Sequence, residues 1–187
     1  MGIKARVFTV AGVLSISLLG WWMSDVFIGY LKFKELCRLD GGLKTYGKVE
    51  IGTGWLTNNE WVARDVVASY SAVSFARFHL NNGVSHDVIY VGGAPWKDSS
   101  YRMDDVGGGV VRYRLDRKSE TVSKKYRIRK NSLTLMDLES DAVMLSSTRF
   151  ILTLTDPKNT LFGMSDMVEC QSHLDEMAQI RNYLGAK

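Results

Sequence analysis

Proline, cysteine and histidine are scarce in this chain of 187 residues, which has two prolines, two cysteines and three histidines. So few prolines leave long stretches free to form helices and strands, because proline removes a backbone hydrogen-bond donor. The chain also lacks internal repeats and low-complexity segments, and its composition is that of an ordinary globular domain. These absences exclude a repeat architecture and a disordered chain.

Signatures of catalysis are also lacking. The glycines Gly107 to Gly109 are not followed by the Gly-Lys-Ser/Thr of a phosphate-binding loop, and Gly92-Gly93 is not followed by a third spaced glycine. We interpret both clusters as turns. Ser85-His86-Asp87 is not a catalytic triad, because consecutive side chains on a strand alternate between faces. The sequence therefore names no reaction and predicts no cofactor.

One long uncharged segment is present, from Val7 to Met23. It follows two basic residues and ends in a tryptophan pair, as is typical at a bilayer boundary. As a helix it would measure roughly 26 Å, near the lower limit for crossing a bilayer core. The segment predicts either an uncleaved membrane anchor or a cleaved export signal.

The residues at the end of this segment favour the anchor. A cleaved signal ends in small residues, in an Ala-x-Ala-like pattern, whereas residues 18–23 are mostly bulky and aromatic. We therefore expect a fold organised as an N-terminal anchor over residues 1–31 and a single extracytoplasmic domain over residues 32–187. The expected location is the inner membrane, single-pass, with the C-terminal domain in the periplasm. Secretion into the periplasm after signal cleavage is the alternative.

The two cysteines, Cys37 and Cys170, lie near the two ends of the expected domain. Two well-separated cysteines in an oxidising compartment can form a disulfide, while in the cytosol they would be free core thiols. A Cys37–Cys170 disulfide would close a loop longer than 100 residues, and the chain-entropy model gives such a loop about 4–5 kcal/mol of stabilisation. Both interpretations remain open from the sequence.

The stretch around Cys37 has the pattern Cys-x-x-Asp-Gly-Gly-x-x-x-Tyr, which ends at Tyr46. It resembles small uncharacterised bacterial membrane-anchored or exported proteins in which this pattern follows an N-terminal apolar segment. Gly47 stands where that pattern has an acidic residue. The resemblance implies a bacterial envelope origin and no particular activity.

Hydrophobic periodicity predicts an α+β fold: an N-terminal transmembrane helix, a mainly antiparallel β-sheet and a C-terminal helix. The helix through Phe33, Leu36 and Cys37 should stop at Asp40-Gly41-Gly42. Trp61 to Tyr70 is ambiguous between helix and strand. The predicted strands are Lys44 to Ile51, Ala72 to Leu80, His86 to Val91, Val110 to Lys118, Val122 to Lys130, Leu133 to Leu138 and Val143 to Thr155. The C-terminal helix, capped by Ser165 or Asp166, would bury Cys170, Leu174, Met177, Ile180 and Leu184.

A possible metal site involves two histidines. If Asn82-Gly83 forms a two-residue hairpin loop, His79 lies opposite His86, close enough for both imidazoles to bind one metal ion. A three-residue loop would break this register, and no third ligand is evident. The alternative is two surface histidines. A dispersed hydrolase-like site near His79 and His86 is the corresponding enzymatic hypothesis.

The segment 112–130 contains nine basic and two acidic residues, a net charge of +7. With a hairpin turn at Ser119-Glu120, its basic side chains would share one sheet face and could bind anions. The alternative is that Asp137 and Glu139 neutralise them. The predicted anion- or partner-binding residues are Arg112, Arg114, Lys125, Arg127 and Arg129.

We therefore expect a membrane-anchored, non-catalytic envelope protein whose extracytoplasmic domain acts as a binding module. The expected partner is a bacterial envelope protein, an anionic polymer or lipid headgroups. Nucleic acid is an unlikely partner, because Tyr113 and Tyr126 should face inward and leave no aromatic platform for bases. The alternative is the small periplasmic enzyme.

Overall fold

The computed structural model of the chain describes residues 25–154 and 166–186. They belong to two compact units. Unit 1 falls within Met1–Asp40, Glu120–Lys130 and Phe150–Cys170, and unit 2 within Gly41–Ser119, Asn131–Arg149 and Gln171–Lys187. The predicted anchor, Val7 to Met23, lies outside the described residues. Among those that are described, no helix has the length and hydropathy needed to cross a membrane.

The described elements comprise three α-helices and nine β-strands. Helix α1 covers residues 25–40. The other helices are α2 (Glu60–Ser69) and α3 (His173–Leu184). The strands are β1 (Gly42–Thr45), β2 (Thr53–Thr57), β3 (Val73–His79), β4 (Ser85–Tyr90), β5 (Tyr101–Asp105), β6 (Val111–Ser123), β7 (Ile128–Asp137), β8 (Val143–Thr153) and β9 (Met167–Glu169).

The described strands form a mixed sheet with strand order β1-β8-β7-β6-β2-β3-β4-β5, and β9 pairs with β8. Strand β2 is parallel to both β3 and β6, whereas β1–β8, β3–β4 and β4–β5 are antiparallel. The parallel β2–β3 pair arises because α2 forms a crossover between the two strands. The α+β class and the C-terminal helix are confirmed. The sheet, predicted to be mainly antiparallel, also contains two parallel pairs and is therefore mixed.

Helix α2 resolves the segment that the sequence left ambiguous. The Asn59 side chain accepts a hydrogen bond from the Val62 amide and so caps the first turn. Val62, Val66 and Val67 are buried on one helix face. Burial of this face stabilises the helix despite the low helix propensity of valine, because tertiary packing outweighs intrinsic propensity.

The core of unit 2 contains the fully buried Trp55, whose ring lies 6.3 Å from that of Tyr70 and 6.0 Å from that of Tyr113. Helix α3 contributes Ile180 and Leu184 to the same core. At 25 cal/mol per Å², burial of each large side chain stabilises the fold by roughly 2–3 kcal/mol relative to exposure.

The predicted start and buried stripe of the C-terminal helix were partly wrong. The helix begins at His173, with Ser172 as its cap, and residues Met167–Glu169 form β9. Cys170 therefore precedes the helix, and Leu174 is exposed. Glu176 is buried instead, because it accepts a hydrogen bond from the Ser147 hydroxyl.

Unit 1 has its own apolar cluster, in which Phe33 of α1 packs with Ile128, Phe150 and Leu152. The Cys37–Cys170 disulfide is present, with 5.4 Å between the two Cα atoms and a sequence separation of 133 residues. Leu36 and Cys37 also pack against the cluster, and so does Leu154 beyond the end of β8. Helix α1 ends at residue 40, and Gly42 has a φ of +100°, so the predicted glycine stop is confirmed.

Two strand predictions were wrong in their bounds. Lys44 to Ile51 is not one strand: β1 ends at Thr45 and β2 begins at Thr53, after a turn that contains Gly52. The predicted hairpin turn at Ser119-Glu120 lies inside strand β6, which continues to Ser123. The turn occupies residues 124–127, where Arg127 adopts a φ of +53°. Strand β7 joins the end of the predicted strand Val122 to Lys130 to most of the predicted strand Leu133 to Leu138.

Candidate functional site

Because the turn lies at residues 124–127 and not at Ser119-Glu120, the five predicted basic residues fall into two groups, one in each unit. Arg112 and Arg114 lie on β6 within unit 2. Arg112 forms ion pairs with Asp137, at 3.0 Å, and with Glu139. Arg114 Nε lies 3.0 Å from Asp116 Oδ2. The alternative in which Asp137 and Glu139 neutralise the basic residues is thus confirmed for Arg112.

The other predicted basic residues belong to unit 1. We define the hairpin tip as residues 124–127; it contains Lys124, Lys125 and Arg127, all exposed, and Arg129 follows at the start of β7. The tip is closed by a hydrogen bond from the Arg127 amide to the Lys124 carbonyl. The prediction that all five residues share one strand face was wrong, because Lys125 and Arg127 are turn residues.

The hairpin tip packs against the first described turns of α1. Lys125 Nζ lies 3.3 Å from Asp25 Oδ1, and this hydrogen bond is the main cause that raises the pKa of Lys125. A Cβ atom on Gly29 would come within 3.3 Å of the Tyr126 side chain. Lys32 Nζ lies 4.7 Å from the centre of the Tyr126 ring. Cationic side chains of both segments therefore lie near the Tyr126 ring, since Lys125 Nζ is 5.2 Å from its centre.

The histidine register differs from the predicted one. Leu80 and Val84 are joined by a hydrogen bond around a three-residue loop, and His79 pairs with Ser85 while His86 pairs with Phe78. His79 Nδ1 lies 2.6 Å from Ser85 Oγ. Because alternate residues of a strand point to opposite faces, the two imidazoles lie on opposite sides of the sheet. The predicted pairing of His79 with His86 was wrong.

The described residues contain no group of three or more His, Cys, Asp or Glu side chains that could hold a metal ion. Asp87, next to His86, is occupied by an ion pair with Arg77. Burial would raise the pKa of the Asp87 carboxyl, but the hydrogen bonds from Arg77 and from the Gly107 amide, together with the Arg77 charge, lower it. This ionised carboxylate is engaged by its structural partners.

A second candidate site lies in unit 2, where a groove of about 300 Å³ opens beside α2. Two tryptophans line it: Trp61, in the first turn of α2, is 70% exposed, and Trp96, in the loop after β4, is 83% exposed. The other lining residues are Arg64, Asp65, Ala68, Ser69, Pro95 and Tyr101. We call this site the tryptophan groove. Exposed tryptophans on one concave surface are typical of binding sites.

The loop that carries Trp96 is held by hydrogen bonds from three side chains. The Tyr90 hydroxyl donates to the Gly93 carbonyl, the Ser100 hydroxyl to the Ala94 carbonyl, and the Tyr101 hydroxyl to the Pro95 carbonyl. Gly92 and Gly93 have φ values of +104° and +102°, which favour glycine. The loop is therefore fixed at three consecutive carbonyls that directly precede Trp96.

Charged side chains in and around the groove form internal pairs. Arg64 Nη2 lies 2.6 Å from Glu60 Oε1, and Arg64 Nη1 lies 2.5 Å from Asp98 Oδ1. The hydrogen bond from Arg64 to Asp98 is the main cause that raises the pKa of Arg64. Asp65 accepts a hydrogen bond from Arg117 at 2.7 Å. Arg64, the cation that lines the groove, is therefore already paired with two carboxylates.

The sequence reasoning missed this groove. Trp61 belongs to the segment that was ambiguous between helix and strand, so its face was undefined. The Gly92-Gly93 cluster that precedes Ala94-Pro95-Trp96 was interpreted only as a turn. The signal that could have found it is an aromatic residue directly after a glycine- and proline-rich turn, since functional side chains are often carried on such loops.

Comparison of the chain with protein-family models, with curated proteins and with solved structures finds no match.

Proposed function

We propose that the protein is a membrane-anchored, non-catalytic protein of the bacterial envelope. In this proposal Val7 to Met23 crosses the inner membrane, the following residues lie on the periplasmic side, and the hairpin tip binds anionic phospholipid headgroups. The envelope origin rests on the sequence resemblance. The lipid contact rests on one structural observation, the ion pair between Lys125 of the tip and Asp25 of α1.

This ion pair matters because of the position of Asp25 in the chain. Asp25 follows Met23 by two residues, so it would lie at the bilayer surface if Val7 to Met23 spans the core. The headgroup layer on each side of the hydrocarbon is roughly 5–8 Å thick. Lys125, 3.3 Å from Asp25, would then lie at the level of the lipid phosphates.

The composition of the tip supports an anionic surface as its partner. Lys124, Lys125 and Arg127 are exposed, and Lys32 lies against Tyr126 between them. Each basic residue near an anionic bilayer contributes about 1 kcal/mol of attraction. Asp25 offsets part of the Lys125 contribution, which leaves Lys124 and Arg127 as the stronger lipid contacts.

The Cys37–Cys170 disulfide supports the proposed compartment, because structural disulfides persist in the periplasm and are rare in the bacterial cytosol. The separation of His79 and His86 onto opposite sheet faces removes the geometry on which the alternative of a hydrolase-like enzyme depended. Binding without catalysis is therefore the function that we favour.

The lipid contact is tested with the full chain in detergent micelles, titrated with phosphatidylglycerol or phosphatidylcholine, with bound lipids counted by native mass spectrometry. We expect a preference for phosphatidylglycerol. The triple variant K124Q/K125Q/R127N should bind it roughly a hundredfold more weakly, because three surface charges of about 1 kcal/mol each are lost. Asparagine is chosen at position 127 because it tolerates the positive φ found there.

The matched control is K44Q/K48Q/K118Q, which removes three exposed lysines of unit 2 and should retain the preference. Equal binding of both lipids by the unchanged protein would refute the lipid contact. The anchor is tested separately by washing membranes at alkaline pH. Release of the intact full chain into the wash would refute the anchor, whatever the lipid preference.

A further inference from the structure

We infer that the tryptophan groove of unit 2 binds an uncharged glycan. Its two exposed tryptophans, its paired charges and its carboxylate acceptors each restrict the ligand, and together they favour a chain of uncharged, hydroxyl-rich rings. This inference goes beyond the proposed function and does not depend on the membrane anchor, since every residue that it uses belongs to unit 2.

The aromatic surface is the first restriction. Trp61 and Trp96 leave most of their surface in solvent, at 70% and 83% exposure, although tryptophan usually contributes stability by burial. Both line the groove together with Tyr101. Flat aromatic faces accept the C–H face of a sugar ring, and two such rings in one groove suit an oligosaccharide better than a single small molecule.

The rigidity of the support is the second observation. The Trp96 loop is fixed by the hydroxyl groups of Tyr90, Ser100 and Tyr101. Trp61 extends from the capped first turn of α2. Neither tryptophan backbone therefore needs to be ordered when a ligand binds, which lowers the entropic cost of binding.

The charges of the groove argue against an anionic ligand. Arg64 is engaged by Glu60 and Asp98, and Asp65 is engaged by Arg117. These pairs comprise three carboxylates and two guanidinium groups, and with the exposed Lys97 next to Trp96 the local charges balance. An anionic polymer would have to displace these carboxylates from their arginines, whereas an uncharged ligand leaves the pairs intact.

The remaining hydrogen-bonding capacity distinguishes a glycan from a proline-rich peptide, another ligand of aromatic grooves. The Tyr101 hydroxyl already donates to the Pro95 carbonyl, so this donor is not free for a peptide carbonyl. Asp98 and Glu60 line a neighbouring cavity that shares Trp61 and Arg64 with the groove. Their side chains are 93% and 40% exposed, and carboxylates accept hydrogen bonds from donors. Sugar hydroxyls supply such donors, while proline has no amide hydrogen.

The test measures binding of three uncharged tetrasaccharides, chitotetraose, cellotetraose and maltotetraose, to the full chain by isothermal titration calorimetry. We expect at least one to bind. The variants W61A and W96A should each weaken this binding roughly tenfold, as the loss of an aromatic anchor does. The control Y46A removes an exposed aromatic side chain of unit 2 outside the groove and should leave the affinity unchanged.

Melting temperatures verify that W61A and W96A fold, which is expected because both side chains are mostly exposed. Failure of all three tetrasaccharides to bind would overturn the inference. Binding of a decaproline peptide in place of the tetrasaccharides would also overturn it. The same holds if W61A and W96A bind a tetrasaccharide with unchanged affinity. None of these outcomes bears on the lipid preference of the hairpin tip, so the two proposals fail independently.

Discussion

Arg77 and Asp87 form a two-point ion pair across neighbouring strands. Arg77 Nε donates to Asp87 Oδ1 at 2.7 Å, and Arg77 Nη2 donates to Asp87 Oδ2 at 2.9 Å. Arg77 Nη2 also donates to the Gly107 and Gly109 carbonyls, and the Gly107 amide donates to Asp87. This ion pair therefore holds the glycine-rich segment that leads into β6.

Replacement of Asp87 by asparagine should destabilise unit 2 by about 2–4 kcal/mol, because it leaves the half-buried Arg77 guanidinium without its counter-charge. Urea denaturation of the full chain measures the change. The double variant R77Q/D87N should lose less than the sum of the two single variants, since the pair is coupled. Strict additivity would contradict this role for the pair.

The Arg77–Asp87 ion pair should make the stability of the protein sensitive to acid. Because the folded pKa of Asp87 is lowered below its ordinary value, its contribution to stability is present above the unfolded pKa, about 3.9. The contribution is lost as the pH falls through the folded pKa. The stability difference between the unchanged protein and D87N should therefore be constant from pH 7 to about 5 and shrink below about pH 4. Denaturant titrations at several pH values measure it, and a gap that persists at pH 2 would contradict the prediction.

Loss of the Cys37–Cys170 disulfide should destabilise unit 1. The two cysteines are 133 residues apart, and the chain-entropy model gives a loop of that length an upper figure of about 5 kcal/mol. Reduction of the full chain with dithiothreitol should therefore lower its urea midpoint. C37S/C170S should reproduce the reduced midpoint and show no further effect of dithiothreitol. An unchanged midpoint after complete reduction, verified by thiol labelling, would refute a stabilising role.

Gly54 should tolerate no side chain, because a Cβ atom there would come within 2.1 Å of Phe75 Cζ. G54A should destabilise the protein by about 1–3 kcal/mol through overpacking. The additional substitution F75L, which shortens the opposing side chain, should recover part of this loss. G108A is the matched control, since its Cβ would have nothing within 4 Å. Equal melting temperatures of G54A and G108A would show that the ring moves aside without cost.

Local patterns predicted several elements correctly. Strand β3 and the following Asn82-Gly83 turn were predicted because alternation and turn chemistry act over a few residues. The hairpin after it was misregistered, because a loop of two residues and a loop of three contain the same Asn-Gly signal. One extra loop residue moved His86 opposite Phe78 and removed the predicted histidine pair.

The candidate sites depended more heavily on contacts between distant segments. The basic residues were visible in the sequence, but their partners were not, because Asp25 is 100 positions from Lys125. Trp61 and Trp96 come from a helix and from a loop that is 35 positions later in the chain. The hydrophobic periodicity of a single segment cannot predict that it lines a groove together with a distant segment.

The sequence by itself determined the α+β class, the cysteine pair available for a disulfide and the glycine stop of α1, because these follow from local side-chain chemistry and hydrophobic periodicity. Only the tertiary structure decided the parallel pairing of β2 and the position of the turn at residues 124–127. It also decided that Asp25 lies beside Lys125 and that Trp61 and Trp96 line one groove. These depend on which segments pack together, and packing over long sequence separations is selected by the burial and hydrogen bonding of the whole fold.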